Sequence, residues 1–168
     1  PEFADVLAEV ADTGYYPANL EATLALAPDI ILAVDGDIDV TTGSEIAPIV
    51  MPAPGIDQNW RQSMEFWSEV LGTQEQYAEM VATYEARIAE FKDALTDSPE
   101  VSIVGASSYG ASLWLEDTAP GAVVADAGLA RPEAQRLSSE EALELYDEER
   151  WISLSDERLD LADADAIF

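Results

Sequence analysis

The chain has 168 residues, of which 48% are hydrophobic, and this is enough apolar surface for a packed core. It carries 35 acidic and 7 basic residues, a formal net charge of -28, and the acidic residues are spread along the whole sequence. Because nucleic-acid backbones are bound by clustered Lys and Arg, this charge argues against a nucleic-acid partner.

Histidine and cysteine are both absent from the sequence. Without cysteine there is no disulfide, thiolate metal site or thiol nucleophile, and without histidine the commonest general base and zinc ligand are missing. The sequence contains no apolar run of ~20 residues, the length that a membrane span requires. No leader peptide is visible either, so we expect any export signal to have been removed or to lie outside these residues.

The first third of the chain predicts short helices followed by buried strands. Apolar residues recur at helical spacing through residues 3–11, and Asn19 is a suitable N-cap for a second helix that ends before Pro28. The segment "DIILAV", 29–34, is continuously apolar, which predicts a strand covered on both faces, as in a parallel sheet between helices. A second strand of this kind is predicted at 47–51.

The longest predicted element is a helix over residues 73–95. A shorter helix over 59–71 precedes it and is broken by Gly72, after which Thr73 and Gln76 have the spacing of a capping box. The apolar residues of the long helix fall on one stripe, so we expect it to lie along a core. At ~1.5 Å per residue it would run about 35 Å, long enough to connect two lobes.

The last third predicts strands at 101–106 and 111–116 around a turn, "SSYG", and then a helix with Pro120 near its start. A further helix is predicted after Ser138, a short one near Ser155, and a final strand at 164–168. Because a doubly wound sheet does not end on an uncovered strand, we expect the sequence to be a piece of a longer protein.

Several segments resemble one known family, in the order in which they occur there. They are "NLEATLALAPDIILA", "IAPIV", "LGTQEQYAEMVATYEARIAEF", "VADAGLARPEAQ" and "ISLSDERLDLADADAIF". They resemble the substrate-binding proteins of ATP-binding-cassette (ABC) importers for iron-siderophores and cobalamin. The resemblance implies an α/β fold with two three-layer α/β/α lobes, mainly parallel sheets and one long connecting helix. It makes 1–72 the later part of the N-terminal lobe, 73–97 the connecting helix and 98–168 the earlier part of the C-terminal lobe, with the chain incomplete at both ends.

The resemblance also implies which residues contact a ligand in a cleft between the lobes. Aromatic rings can pack on a chelate, and loops at the carboxyl ends of strands bind ligands in open α/β sheets. The implied ligand-binding residues are Tyr15, Tyr16, Gly36, Asp37, Ser107, Ser108, Tyr109, Arg150 and Trp151. Each of them is also explained without a ligand, as a core ring, a surface ring or a solvated loop.

Two further positions bear on the cleft. Relatives with anionic ligands carry an arginine at the end of the first strand of the second lobe, and here the matching residue is near Gly105. This departure argues against a strongly anionic catecholate ligand. Trp114 alternates with Leu113 and Leu115, and we expect it in the core rather than in the cleft.

The segment "DGDID", 35–39, begins like a calcium loop. Such loops need Gly at the sixth position and a bidentate Glu at the twelfth, where this chain has Val40 and Ile46. A calcium-binding surface module therefore stays open only as a remote alternative. A serine hydrolase using Ser107 or Ser108 is another, although the chain has no histidine to act as its base.

The function implied by the resemblance is that of a non-enzymatic receptor on the periplasmic or extracellular face of the cell membrane, lipid-anchored in the full-length protein. It would capture a ferric siderophore and deliver it to the permease of an ABC importer, with no resident cofactor or metal. The same receptor for cobalamin or haem is the main alternative. In the family, one acidic residue per lobe docks on the transporter. Glu157 matches the second of these. For the first, the matching position is near Thr41, and Asp39 and Glu45 are the substitutes.

Overall fold

The computed structural model describes residues 4–14, 16–56, 59–107 and 110–168, with the backbone alone described at Val6 and Asp156. The chain forms two compact units, Pro1–Pro54 and Gly55–Phe168. The α-helices of the described residues are α1 (Ala4–Leu7), α2 (Leu20–Ala25), α3 (Val40–Gly43), α4 (Trp60–Leu71), α5 (Gln74–Ala94), α6 (Ala119–Asp126) and α7 (Ser139–Tyr146). Their strands are β1 (Ile31–Leu32), β2 (Ile49–Val50), β3 (Val101–Ser102), β4 (Val104–Ser107), β5 (Gly110–Trp114), β6 (Trp151–Leu154) and β7 (Ala166–Ile167).

The first unit contains a parallel strand pair beside short helices. β1 pairs with β2 in the register Ile31 to Ile49, and the Asn19 side chain caps α2 by accepting from the amide of Ala22 at 3.0 Å, as predicted. The prediction that both faces of this pair are covered is wrong for the described residues, since Ile30 is 48% and Leu32 43% exposed. Among the described residues, the neighbouring helices thus leave one face of the pair partly exposed.

Helices α4 and α5 begin the second unit. Asn59 caps α4 by accepting from the amide of Arg61, and Gly72 ends it in the left-handed region at φ 68°. The predicted capping box at Thr73 and Gln76 is wrong, because Thr73 makes no side-chain capping bond. The amide of Thr73 instead donates to the carbonyl of Ser68 at 2.8 Å, which closes the turn after α4 and removes the donor that Gln76 would need.

Two sheets complete the second unit. β3 pairs with β7 in parallel, while β4, β5 and β6 form an antiparallel sheet in that order. The predicted strand 101–106 is interrupted at Ile103, whose amide donates to Gln135 Oε1 at 2.9 Å. The chain changes its pairing partner at that point. The α/β class is confirmed, with parallel pairs in both units and an antiparallel sheet added in the second.

The hydrophobic core of the second unit lies on one face of the antiparallel sheet. Leu113, Leu115 and Ile152 are fully buried there, against small residues from the surrounding helices. The core includes Ala142 from α7, which begins with the predicted capping box of Ser138 and Glu141. Two 3₁₀ helices flank the sheet, at Glu133–Arg136 and Asp156–Ala162. Helix α4 belongs to this unit by packing, and the predicted division into lobes 1–72 and 98–168 stays a prediction.

Candidate functional site

The outer face of the antiparallel sheet forms an open recess of ≈ 470 Å³. Since side chains alternate along a strand, the burial of Leu113 and Ile152 on the core face turns their neighbours outward. The sheet recess is lined by Gly105, Ala106, Ser107, Gly110, Ala111, Ser112, Trp114, Trp151 and Ser153. Among these described residues none carries a charge, so the recess offers indole rings and hydroxyl groups.

Two tryptophans form the aromatic part of the sheet recess. Trp114 and Trp151 are cross-strand partners, and their rings lie edge to face with centroids 5.9 Å apart and an angle of 72° between planes. Trp151 is 42% exposed, and the Trp114 ring is half-buried. The prediction that Trp114 lies in the core is therefore wrong: Leu113 and Leu115 occupy the core positions, and the ring between them faces the recess.

Gly105 is required by the position of the Trp114 ring. A Cβ atom at residue 105 would lie 2.8 Å from Trp114 Nε1, closer than Cβ atoms come to other heavy atoms in proteins, and 3.1 Å from Ser112 Oγ, which is a tight contact. The indole of Trp114 thus occupies the space that a side chain at position 105 would need. The resemblance described above places near Gly105 the position at which relatives with anionic ligands carry an arginine.

A buried arginine holds the backbone of Trp114. Arg131 is 4% exposed and donates to the carbonyl of Trp114 at 2.6 Å, to the carbonyl of Gln135 at 2.8 Å and to Gln135 Oε1 at 2.8 Å. Gln135 in turn donates to the hydroxyl of Ser102. Burial lowers the pKa of Arg131, and the charge of Glu116 opposes that effect. This network connects β5 to β3 and to the 3₁₀ helix at Glu133–Arg136.

The first unit has a recess of its own, of ≈ 450 Å³, beside β1. Tyr16 and Asp37 are among its lining residues. Gly36 adopts φ 87°, and the Tyr16 hydroxyl lies so close that any side chain at position 36 would overlap it. Asp37 closes the turn after β1, because its Oδ2 accepts from the amide of Val34 at 3.0 Å. We call this the Tyr16 recess.

The structure brings some of the predicted ligand-binding residues together within each unit. Tyr16, Gly36 and Asp37 meet at the Tyr16 recess, and Ser107 and Trp151 line the sheet recess. Tyr15, Ser108 and Tyr109 lie outside the described residues.

Arg150 precedes β6 with its backbone in the left-handed region at φ 67°. Its carbonyl accepts from the amide of Leu115 at 3.3 Å, and its side chain is half-buried. It is not among the described residues that line the sheet recess, so its predicted role in binding remains a prediction.

The sequence analysis missed Trp114, Ser112, Ser153 and Arg131. The alternation of β5 contained the signal for the first two, because a strand with Leu113 and Leu115 in the core must turn Ser112 and Trp114 to the opposite face. The burial of Arg131 has no such local signal. Its partners come from β5 and from the 3₁₀ helix that follows it.

Asp39, the last aspartate of the segment 35–39, has a backbone partner. Asp39 caps α3 by accepting from the amide of Thr42 at 2.7 Å, and this hydrogen bond lowers the pKa of Asp39. Within the described ranges, no group of three or more acidic side chains is arranged to hold a metal ion. The calcium-loop interpretation therefore has no support there.

The predicted docking acids are both on the surface. Glu45 is exposed directly after α3, and Glu157 is exposed in the 3₁₀ helix Asp156–Ala162. In the part of the chain that the structure describes, none of the helices combines the length and the apolar character needed to cross a membrane.

Comparison with known families gives the class of protein to which this α/β fold belongs. Residues 4–168 match the family described as periplasmic binding protein, and the chain belongs to that family.

Two curated relatives are similar to parts of this chain. The probable siderophore-binding lipoprotein YfiY of Bacillus subtilis is 27% identical over 121 residues, which is 70% of this chain and 37% of the relative. The ferric enterobactin-binding periplasmic protein FepB of Escherichia coli is 29% identical over 120 residues, 66% of this chain and 37% of the relative. The aligned part of this chain thus spans little more than a third of either relative.

Solved structures share the fold over almost the whole chain. The FhuD protein from S. pseudintermedius has a TM-score of 0.75 at 19% identity and covers 99% of this chain and 59% of its own. Staphylococcus aureus SirA has a TM-score of 0.73 at 21% identity and covers 99% of this chain and 61% of its own. At these identities the likeness shows the fold alone.

Proposed function

We propose that the full-length protein is an extracytoplasmic receptor that binds a ferric siderophore and delivers it to an ABC importer. The observation that carries this proposal is the sheet recess, an uncharged concave surface with two indole rings and several serine hydroxyls on a binding-protein fold. Small-molecule sites are typically concave and apolar with a few polar groups that orient the ligand. The names of the curated relatives, which describe siderophore binding, support the same ligand class.

In this proposal the receptor binds the chelate by complementary shape and hydrogen bonds, and no covalent bond is made or broken. The rings of Trp114 and Trp151 pack against the organic part of the chelate, and the hydroxyls of Ser112 and Ser153 hydrogen-bond its oxygens. Arg131 keeps the backbone of Trp114 in place through its bond to the Trp114 carbonyl. The receptor needs no nucleophile or general base for this task, and we propose that it is not an enzyme.

The Tyr16 recess is the second proposed ligand-binding surface. The phenol of Tyr16 presents a ring and a hydroxyl at Gly36. The carboxylate of Asp37 accepts from the amide of Val34 through Oδ2, and its other oxygen, Oδ1, is the one proposed to meet the ligand. The predictions for Tyr15, Ser108, Tyr109 and Arg150 are kept as part of this proposal. So is the division of the chain into two lobes with residues 73–97 as their connection.

Delivery to the importer is proposed to use the two surface acids. Glu157 and Glu45 are exposed, as residues that dock on a partner must be. We propose that each meets a basic residue of the permease, and that a lipid anchor of the full-length protein keeps the receptor at the membrane surface.

The test monitors ligand binding through the intrinsic tryptophan fluorescence of the full-length protein. A ferric hydroxamate or ferric citrate chelate at micromolar concentration is expected to quench tryptophan emission, because Trp114 and Trp151 line the recess. Cobalamin and haem serve as the competing ligands. A response to either of those, with none to any iron chelate, would reject the siderophore proposal.

A further inference from the structure

We propose that Arg61, Tyr84 and Asp126 form a latch between three helices, and that this latch sets the rate at which the receptor exchanges its ligand. We call these residues the three-helix latch. The inference rests on the proposed function and on the predicted lobes 1–72 and 98–168. It assigns a role to residues that line neither the sheet recess nor the Tyr16 recess.

The three-helix latch converges on one carboxylate oxygen. Asp126 Oδ2, at the end of α6, accepts from Arg61 Nη2 of α4 at 3.1 Å and from the Tyr84 hydroxyl of α5 at 2.8 Å. The guanidinium of Arg61 also lies over the rings of Trp60 and Tyr84, with its Cζ atom 4.8 Å and 5.0 Å from their centroids. A charge-assisted hydrogen bond and two cation–π contacts therefore hold the same arginine.

The backbone around Arg61 is fixed as well. Asn59 caps α4 by accepting from the amide of Arg61 at 3.0 Å, and the hydroxyl of Tyr77 donates to the carbonyl of Arg61 at 3.2 Å. The first turn of α4 is thus held against α5, and from there the Arg61 side chain reaches α6.

The charge of the chain gives this arginine its importance. The formal net charge is -28, and both ion pairs between described residues are made by Arg61, to Asp126 and to Glu85 at 3.4 Å. Without Arg61, the carboxylates of α5 and α6 would repel each other in this field. None of the residues of α5 is buried, so hydrophobic burial along this helix is limited. The attraction to Arg61 therefore helps to hold α4 beside α6 where a core does not.

The three-helix latch can open without unfolding the protein. The side chains of Arg61 and Asp126 are 31% and 36% exposed, so water can replace either partner. A cavity of ≈ 260 Å³ borders the latch, with Glu85 and Lys92 of α5 among its lining residues, and it gives the guanidinium room to move away from Asp126. Partly exposed ion pairs contribute little to overall stability. Breaking the latch is thus expected to loosen a local contact rather than the core.

The position of the latch connects it to ligand exchange. The predicted division places α4 in the first lobe and α6 in the second, with α5 as their connection. A ligand held in a cleft between lobes enters and leaves when the lobes move apart, and the latch opposes that movement. Because its residues line neither recess, the latch favours the joined arrangement equally with and without ligand. Removing it should therefore speed association and release together and leave the affinity almost unchanged.

Stopped-flow tryptophan fluorescence of the full-length protein with ferrioxamine B, a ferric hydroxamate, measures both rates. Asp126→Asn keeps an oxygen that can accept from the Tyr84 hydroxyl and removes the charge that attracts Arg61. We expect association and release each to become at least about threefold faster, with the dissociation constant changed less than about twofold. The matched control is Asp93→Asn, because Asp93 is an exposed aspartate of α5 outside the latch, and it should alter neither rate. Unchanged rates in Asp126→Asn, or weaker binding without faster association, would overturn the inference and leave the proposed function standing.

A charge-swapped pair tests whether the attraction between Arg61 and Asp126 is the cause. Asp126→Arg places two arginines together, and we expect the fastest ligand exchange in this variant. Adding Arg61→Asp restores opposite charges, and release should then slow by at least about twofold relative to Asp126→Arg alone. Thermal unfolding shows whether each variant is folded. A folded double variant that releases ferrioxamine B as fast as Asp126→Arg would rule out the charge pair as the latch.

Hydrogen exchange of the ligand-free full-length protein tests the latch independently of any ligand. In Asp126→Asn, amides of α4 and α6 are expected to exchange at least about threefold faster, whereas those beside the buried Leu113 and Ile152 keep their rates. Equal exchange in the two helices, or faster exchange throughout the sheet as well, would contradict a local latch. No binding of any ferric chelate by the unmodified protein would overturn the proposed function, and the exchange rates would then show by themselves whether the latch exists.

Discussion

Replacing the buried Arg131 with methionine tests the internal support of the sheet recess. Methionine fills much of the same volume with a flexible apolar chain, so the change removes the hydrogen bonds while limiting the cavity. Three acceptors lose a donor, namely the carbonyls of Trp114 and Gln135 and the Oε1 atom of Gln135. Only the last of these keeps another described donor outside Arg131, the amide of Ile103.

The expected loss of stability follows from these contacts. Each buried acceptor left without a donor costs about 1–3 kcal/mol, which for the two carbonyls gives about 2–6 kcal/mol. Part of this loss is offset, because Arg131 Nε is buried without a described partner. Removing that group and the buried charge stabilises the folded state by roughly 1–2 kcal/mol. The net expectation is a destabilisation of about 3 kcal/mol, a large part of the ~5–15 kcal/mol that stabilises a typical domain.

Urea unfolding of the full-length protein, followed by tryptophan fluorescence, measures this loss. Arg136→Met is the matched control, because Arg136 is an exposed arginine in the 3₁₀ helix Glu133–Arg136, which begins just after Arg131. We expect the control to change stability by less than ~0.5 kcal/mol. If Arg131→Met costs under ~1 kcal/mol, or stabilises the protein, the network does not hold Trp114 as we describe.

Three further predictions concern other parts of the second unit. Gly121→Ala should destabilise the protein by about 3 kcal/mol in a thermal or urea titration. A Cβ atom there would lie 2.6 Å from the carbonyl oxygen of Glu116 and even closer to that of Leu115. Unchanged stability would mean that α6 is free to shift away. Burial and the hydrogen bond to Asp126 raise the pKa of Tyr84 from 10.0 to about 12, so its contribution to stability is complete below pH 10.0 and is lost as the pH rises through about 12. In an ultraviolet titration, Asp126→Asn should move this ionisation to lower pH, and the absence of any shift would disprove the coupling. Glu157→Ala should reduce chelate-stimulated ATP hydrolysis by the reconstituted importer several-fold with unchanged chelate affinity, whereas Glu133→Ala, another exposed glutamate, should change neither.

The features that were predicted correctly are those with local causes. Asn19 and Ser138 cap their helices because the cap and the amide it accepts from are three residues apart, so the sequence contains both partners. The apolar runs at 29–34 and 47–51 predicted β1 and β2 for the same reason, since a strand's character is visible in its own residues. The match of five ordered segments to one family was equally readable, and it is confirmed.

The features that were missed depend on which partner or covering each group finds in the folded chain. Thr73 has the residues of a capping box, but its amide is already bonded to Ser68 across the turn. The strand at 101–106 divides at Ile103 because Gln135, 32 residues later, takes the Ile103 amide. Trp114 was assigned to the core from its apolar neighbours, although their burial is what turns it outward. A local pattern cannot show which of two faces a tertiary partner will cover.

Retention of iron by the purified protein tests the central claim most directly. In equilibrium dialysis of the full-length protein against ferrioxamine B labelled with radioactive iron, we predict saturable retention with one chelate per protein and a dissociation constant of about 1 μM or lower. Trp151→Ala should weaken this retention by at least about tenfold, because its ring is half of the aromatic pair in the sheet recess. No retention of iron with any ferric chelate, together with saturable binding of cobalamin or haem, would contradict the account.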